Sequence, residues 1–258
     1  MSEKNTVTVR GVEIGSGIPK ICIPLTGINM EEILSEAEQA KASGADLVEW
    51  RADWYGDISD EGRTGRLLES LRGVLGSLPL LFTFRTRAEG GERELSPELY
   101  MKLNRQAICS GCVDLVDVEL SAGDNAVRSV VKTAHASGVK VICSSHDFQG
   151  TPPKEEMFSR LCRMQELGAD ILKIAVMPQN AGDVLTLLGV TDEMRSEYAR
   201  CPVVTMAMGG IGVVSRISGE IFGSAITFGT AGRASAPGQI LCRGTERDTG
   251  MSPQKSLI

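Results

Sequence analysis

The sequence predicts a single-domain α/β protein, a (β/α)8 barrel with a short β-hairpin closing its bottom. Three observations predict it. Short runs rich in β-branched and aromatic residues alternate with longer amphipathic stretches along nearly the whole chain. Eight such runs follow the hairpin, and the 258 residues match the ~250 that this barrel usually takes as one domain. The stretch after the first run, "PLTGINMEE", has a single glycine and not the G-x-G-x-x-G of a doubly wound open sheet, the structural alternative.

The elements follow in order. "TVTVRGVEIGSG" reads as the hairpin, with glycines at its turns. The eight strands are "KICIPLTG", "DLVEWRAD", "PLLFTFRTR", "VDLVDVEL", "VKVICSSHD", "DILKIAVM", "PVVTMAMGG" and "SAITFGT". Helical patterns lie between them, among them "MEEILSEAEQAKASG", "PELYMKLNRQAICSG", "AVRSVVKTAHASG" and "PKEEMFSRLCRMQELG". Each stops at glycine just before a strand, where a residue without Cβ is favoured as the helix cap. The last helix is short or missing, since "GQILCRG" passes quickly into polar sequence. Residues 1–241 are therefore expected to form the barrel and 242–258, without apolar periodicity, a loosely attached polar tail.

Composition excludes several classes of function. A net charge of -6 argues against a nucleic-acid partner, though a local arginine cluster could still draw a small anion. No run approaches the ~18 apolar residues of a membrane span, and "MSEKNTVTVRG" lacks the apolar region of a secretion signal, so the cytoplasm is the expected compartment. Seven cysteines, an odd number scattered through apolar contexts, read as reduced thiols. Cys109 and Cys112 form a C-x-x-C, but it ends a helix where a redox pair would open one, and no second pair completes a zinc site.

In such a barrel the active site lies at the carboxyl ends of the strands, and side-chain alternation sorts inward from outward residues. Glu49 and Arg51 share a face with Leu47, Arg85 with Thr83 and Leu81, and Asp117 with Glu119. His146 is in phase with Ser144, and Lys173 with Ile171. The lysine in "GADILKIAV" demands most explanation. A lone strand lysine is usually an edge residue, but a barrel has no edge, and its outward positions face helices and are dry. An inward Lys173 among charged partners is the more comfortable placement. Burial favours the neutral form of a lysine, which is the form that attacks a carbonyl. His146, where a strand meets its loop, is then the candidate acid–base, with Glu89 or Glu119 to orient it; His135 reads as a solvent-side helix residue. Arg51, Arg85 and Arg216 are candidates for binding a carboxylate or hydroxyls, although "VVSRISG" looks helical and leaves Arg216 open to being a surface ion pair. The glycines of "MGGIGVVSR" stand where many barrels bind phosphate, or only permit a tight turn.

Taken jointly, "VEWRAD", "FTFRTRAEGG", "SSHDF", "LKIAVMP", "MAMGGIGVVSRI" and "TFGTAGRASAPGQI" resemble the type I 3-dehydroquinate dehydratases from the first strand to about Gln239. The resemblance implies dehydration of 3-dehydroquinate through a lysine imine, in aromatic amino acid biosynthesis. It implies Lys173, His146 and Glu89 as catalytic residues and Glu49, Arg51, Arg85, Arg216, Ser235 and Gln239 as substrate-binding residues. It further implies a lid in "TAGRASAPGQ", a homodimer, and no metal or organic cofactor. The sequence departs at the end of the first strand, where Pro24 and Thr26 stand near a position that carries a small polar contact in related enzymes. The rivals are a class I aldolase using the same lysine on a phosphorylated sugar, a metal-dependent barrel built on Glu49, Glu119, His146 and Asp147, and a non-catalytic metabolite-binding relative. The aldolase predicts phosphate at the glycine turn, whereas the dehydratase predicts a carboxylate on Arg216.

Overall fold

A computed structural model describes residues 5–232 and 235–241, so the expected tail 242–258 lies outside the described residues. Strands β1 (Val7–Val9) and β2 (Val12–Ile14) pair antiparallel as the hairpin. Then come β3 (Lys20–Leu25), α1 (Met30–Ala42), β4 (Leu47–Arg51), α2 (Glu61–Leu75), β5 (Leu80–Thr83) and α3 (Pro97–Cys109). After these follow β6 (Leu115–Glu119), α4 (Asp124–Ala136), β7 (Lys140–Asp147), α5 (Lys154–Glu166), β8 (Ile171–Val176) and α6 (Ala181–Glu193). The chain ends its described part with β9 (Val203–Ala207), α7 (Val213–Ile217), α8 (Gly219–Phe222), β10 (Ile226–Thr230) and β11 (Ile240–Leu241). Strands β3 to β9 pair in parallel in chain order, and β10 returns to lie beside β3. The eight expected strands are thus β3 to β10.

Closure between β9 and β10 is thinner than the other ladders. It consists of one parallel bridge, Val203 to Ser224, with Ala225 N donating to Val203 O at 2.8 Å and Thr205 N to Ser224 Oγ at 3.1 Å. Nearer the carboxyl ends, β11 adds to β10 in parallel.

Local chemistry explains the element ends. Asn29 caps α1 by accepting from Glu32 N, Ser96 caps α3 ahead of Pro97, and Asn180 caps α6. The predicted stops after α1, α4 and α5 are made by Gly44, Gly138 and Gly168, all with positive φ. A further device escaped the sequence reading. Asp46, Asp114 and Asp170 stand just before β4, β6 and β8, and each carboxylate accepts a backbone N–H at the start of the preceding strand, from Ile21, Leu80 and Val141, at 2.9 Å. The backbone N–H of each aspartate donates to that same residue's carbonyl, so register is pinned from both sides. His135 is exposed but tied to this system, with Nε2 at 2.7 Å from Asp170.

Alternation separates two cores. Outward residues such as Val48, Trp50, Phe82, Val116, Cys143, Leu172 and Ile174 pack under the helices. Inward residues Cys22, Leu47, Leu81, Leu115, Ile142, Ile171, Val204 and Ile226 form an apolar layer, and Val7, Val9 and Ile14 of the hairpin pack against it from below. The barrel bottom is therefore plugged and dry, and the polar inward residues all lie above it.

Candidate active site

One step up each strand from that layer stand Glu49, Thr83, Asp117, Ser144, Lys173, Met206 and Phe228. One step further stand Arg51, Arg85, Glu119 and His146. All of these from Glu49 to His146 that carry charge follow the predicted parity. Burial is nearly complete: Lys173 is 4% exposed, and Glu49, Arg51, Arg85, Asp117 and Glu119 are all buried. The nine residues expected to act, Lys173, His146, Glu89, Glu49, Arg51, Arg85, Arg216, Ser235 and Gln239, line a single pocket at the carboxyl ends of the strands. Its remaining walls are Gly90, Phe148, Ala175, Met206, Met208, Phe228 and Ala236.

Lys173 Nζ lies 3.4 Å from Asp117 Oδ2 and 4.5 Å from the centre of the Phe228 ring. One side of the amine is thus held by an anion and another by an aromatic face. Asp117 also accepts from Ser144 Oγ at 2.6 Å and pairs with Arg85 Nη2 at 2.9 Å. Burial works to raise the Asp117 carboxyl, but Arg85 and Lys173 outweigh it and hold the group below the usual carboxylate range.

Arg85 lines the pocket and spends its charge on the carboxylates packed against it. It donates to Glu119 Oε1 at 2.9 Å and to Ser144 Oγ at 3.0 Å, with Glu89 at 3.6 Å. Glu119 is further held by Thr86 through its backbone N–H at 2.8 Å and its hydroxyl at 2.7 Å. Arg51 is gripped by Asp53 through two bonds of 2.8 Å, the fork-to-carboxylate geometry. Glu49 accepts from Thr83 Oγ1 at 2.8 Å. Asp53, Phe148, Met206, Met208 and Phe228 were missed by the sequence reading, which placed Ser144 only on the face of His146; Asp53 was legible as the next inward position after Arg51.

His146 is the penultimate residue of β7, beside β8, with Ser144 opposite Lys173 in register. Its Nδ1 lies 2.9 Å from Glu89 Oε2, which also accepts the His146 backbone N–H at 3.1 Å. Nε2 is left for the pocket. Burial first, then Arg85, Lys173 and Arg51, push the imidazole well below its ordinary pKa, so it is a neutral base at pH 7. Glu89 sits in a one-turn helix that ends at Gly90, whose φ is +83° and where a β-carbon would run into the Phe148 ring. Burial raises the Glu89 carboxyl to about 7 against the pull of Arg85.

Arg216 differs from the other two guanidinia. The short helix α7 places it inside, 3% exposed, with Nη1 3.4 Å from Phe228 O and 3.8 Å from Met206 Sδ, and Nη2 3.1 Å from Pro237 O. Among the described residues no carboxylate pairs with it, and burial holds it down to about 10. It is not the surface ion pair that a helical "VVSRISG" allowed. Pro237 belongs to the segment that brings Ser235, Ala236 and Gln239 to the pocket wall, where Ser235 N donates to Gln239 Oε1 and Gln239 Nε2 to Ser235 Oγ, both at 2.8 Å. Arg233 and Ala234 of the expected lid lie outside the described residues. Thr26 is buried but, like Pro24, is not part of the pocket wall. Cys109 is exposed and Cys112 buried, both are free thiols, and among the described residues no group of three or more His, Cys, Asp or Glu could hold a metal ion.

A barrel that gathers a buried amine, a neutral imidazole and a guanidinium with no carboxylate partner among the described residues, above a dry floor, is of the carbonyl-processing α/β-barrel class. Residues 21–245 match the family model of type I 3-dehydroquinase. The chain belongs to that family. It is 53% identical over 235 residues to the 3-dehydroquinate dehydratase of Syntrophotalea carbinolica, covering 91% of this chain and 93% of the relative. It is 52% identical to that of Klebsiella pneumoniae, covering 92% and 94%. A crystal structure of the Clostridium difficile type I enzyme with covalently modified comenic acid superposes with a TM-score of 0.90 at 51% identity, covering 93% of this chain and 94% of that one.

Proposed function

We propose that the chain dehydrates 3-dehydroquinate to 3-dehydroshikimate, in the shikimate pathway to the aromatic amino acids, through an imine on Lys173. The observation that carries the reading is the single pocket in which Lys173, the Glu89-held His146 and Arg216, which no carboxylate among the described residues pairs with, converge. The amine of Lys173 adds to the C3 ketone and water leaves, giving an iminium. His146 removes the C2 proton, and the electron pair of that bond flows into the iminium to give an enamine. The enamine then expels the C1 hydroxyl, which leaves as water on taking the proton back from His146. Hydrolysis of the remaining imine frees product and lysine.

The imine itself is the electron sink, so the sequence of steps calls on no metal or organic cofactor. Arg216 pairs with the C1 carboxylate. This favours the carboxylate over the phosphosugar reading, since Gly209 and Gly212 already donate their backbone N–H groups to Pro237 and Gly209 carbonyls. Glu49, Arg51, Arg85 and Gln239 hold ring hydroxyls, with Arg51 and Arg85 stiffened by their carboxylate partners. Ser235 and Gln239 close over the substrate as a lid. The same reading takes the enzyme as a cytoplasmic homodimer; among the described residues no helix is long and apolar enough to cross a membrane.

Trapping tests the mechanism. Incubation with 3-dehydroquinate and borohydride, followed by peptide mass spectrometry, is expected to find the reduced adduct on Lys173. Folded protein that turns over substrate yet yields no adduct there would falsify it.

A further inference from the structure

Ser121 lies two residues beyond β6, in the one-turn helix Leu120–Ala122 that leads into α4. It stands on the opposite side of Glu89 from His146. Its hydroxyl donates to Glu89 Oε1 at 2.5 Å. The other oxygen, Oε2, takes both the backbone N–H of His146 at 3.1 Å and Nδ1 at 2.9 Å, with Arg85 Nη1 at 3.6 Å. One carboxylate therefore ties together three consecutive strand ends at the barrel mouth: the turns that follow β5 and β6 and the last residues of β7.

We infer that Ser121 is a positioning residue for the dehydration, fixing through Glu89 Oε1 the orientation of the carboxylate that holds His146. The inference rests on the roles proposed above for Lys173 and His146. The last torsion of a glutamate is soft and roughly two-fold, so donors on Oε2 alone leave the plane of the carboxylate loosely defined. Glu89 is 5% exposed and has little access to a replacement donor from solvent. Ser121 itself is exposed, so removing its hydroxyl opens no hole in the core.

The hydroxyl also acts on charge. The groups facing Glu89 are Arg85, which favours its ionised form, Glu119 and Asp117, which oppose it, and the His146 ring, itself flanked by Lys173 and Arg51. The Ser121 bond adds to the side of Arg85. As His146 takes the C2 proton it becomes an imidazolium, and an ionised Glu89 steadies it. Without Ser121 the carboxylate ionises only at higher pH, and the enzyme loses its base partner sooner as pH falls.

Ser121→Ala is expected to fold as the parent does, with KM little changed and kcat several-fold lower near neutrality. The acid limb of its kcat profile moves up by about 0.5 to 1 pH unit, the difference between a hydrogen bond to an ionised and to a protonated carboxylate. Ser121→Thr, which keeps the hydroxyl, restores the limb. Superimposable profiles for Ser121→Ala and the parent overturn the inference, as does a uniform loss of kcat at all pH values with no rescue by threonine. Borohydride trapping on both proteins separates the two levels. An adduct on Lys173 with unmoved profiles sinks the role of Ser121 alone, whereas no adduct in the parent protein takes down both readings.

Discussion

Arg216→Met should make the free protein more stable while ruining its use of substrate. At ~1.4 kcal/mol per tenfold change in a proton equilibrium, holding a guanidinium down to about 10 costs the folded chain about 3 kcal/mol relative to a solvated arginine. Two carbonyl contacts, to Phe228 O at 3.4 Å and Pro237 O at 3.1 Å, return about 1 kcal/mol each at best. Methionine has a similar length, no charge and the flexibility to fill the space beside Met206. The net gain is about 1 to 2 kcal/mol, which for a chain of this size raises the melting temperature by roughly 2 to 8 °C. The substrate side runs the other way. Removing one partner of a buried charge pair costs about 2 to 5 kcal/mol, so kcat/KM should fall by about 30- to 5,000-fold. Calorimetry without ligand and steady-state kinetics read the two halves independently. A variant that melts several degrees lower and keeps its KM would refute the reasoning, because Arg216 would then be a structural tie and not an anion site waiting for its partner.

His146→Ala is expected to lower kcat by about 10²- to 10⁴-fold while substrate still accumulates on Lys173, seen as undiminished borohydride trapping; near-normal turnover would move the base elsewhere, with Glu119 the first place to look. Asp117→Asn should cost about 3 to 5 kcal/mol at pH 7, since it leaves Lys173 and Arg85 buried without one of their anions. The folded Asp117 carboxyl lies below its unfolded value, so its contribution is complete above the ordinary carboxylate range and is lost as pH falls through the folded pKa. Denaturant melts from pH 7 down toward pH 3 should therefore show the parent and the variant converging, and a gap independent of pH would contradict the ion-pair account.

What the sequence made legible follows from one physical regularity. In a closed parallel barrel a strand is buried on both faces, so a charged residue inside a β-rich run cannot be a solvent-facing residue, and period-2 alternation says which charges share the lumen. Glu49, Arg51, Asp117, Glu119 and Lys173 could be placed inside because they fall in phase with Leu47, Leu115 and Ile171 of the inner apolar layer. The partner of each charge is a different matter. Arg85 pairs with Asp117 and Glu119 on the next strand, and Glu89 takes Ser121 from the turn after β6 and His146 from the end of β7. Nothing in local spacing encodes such cross-strand choices, which depend on strand stagger and on rotamers.

Arg216 shows where pattern reading fails for a reason. On a surface helix apolar residues face inward and charges outward. In α7 the order is inverted, for Arg216 is 3% exposed whereas its neighbours Val214 and Ile217 are 44% and 48% exposed. A helix of five residues cannot be held in that orientation by its own propensity. It is held by Ser215, whose hydroxyl takes the Ala207 N–H at 2.9 Å and donates to Gly212 O at 2.7 Å, and by Thr227, whose hydroxyl donates to Arg216 O at 3.0 Å. At Gly212 a β-carbon would collide with the Ala207 carbonyl, so only glycine lets the helix start this close to β9. Four side-chain and backbone constraints thus turn a charged residue inward against its solvation, and a fold bears such a cost where the buried charge has a ligand to meet.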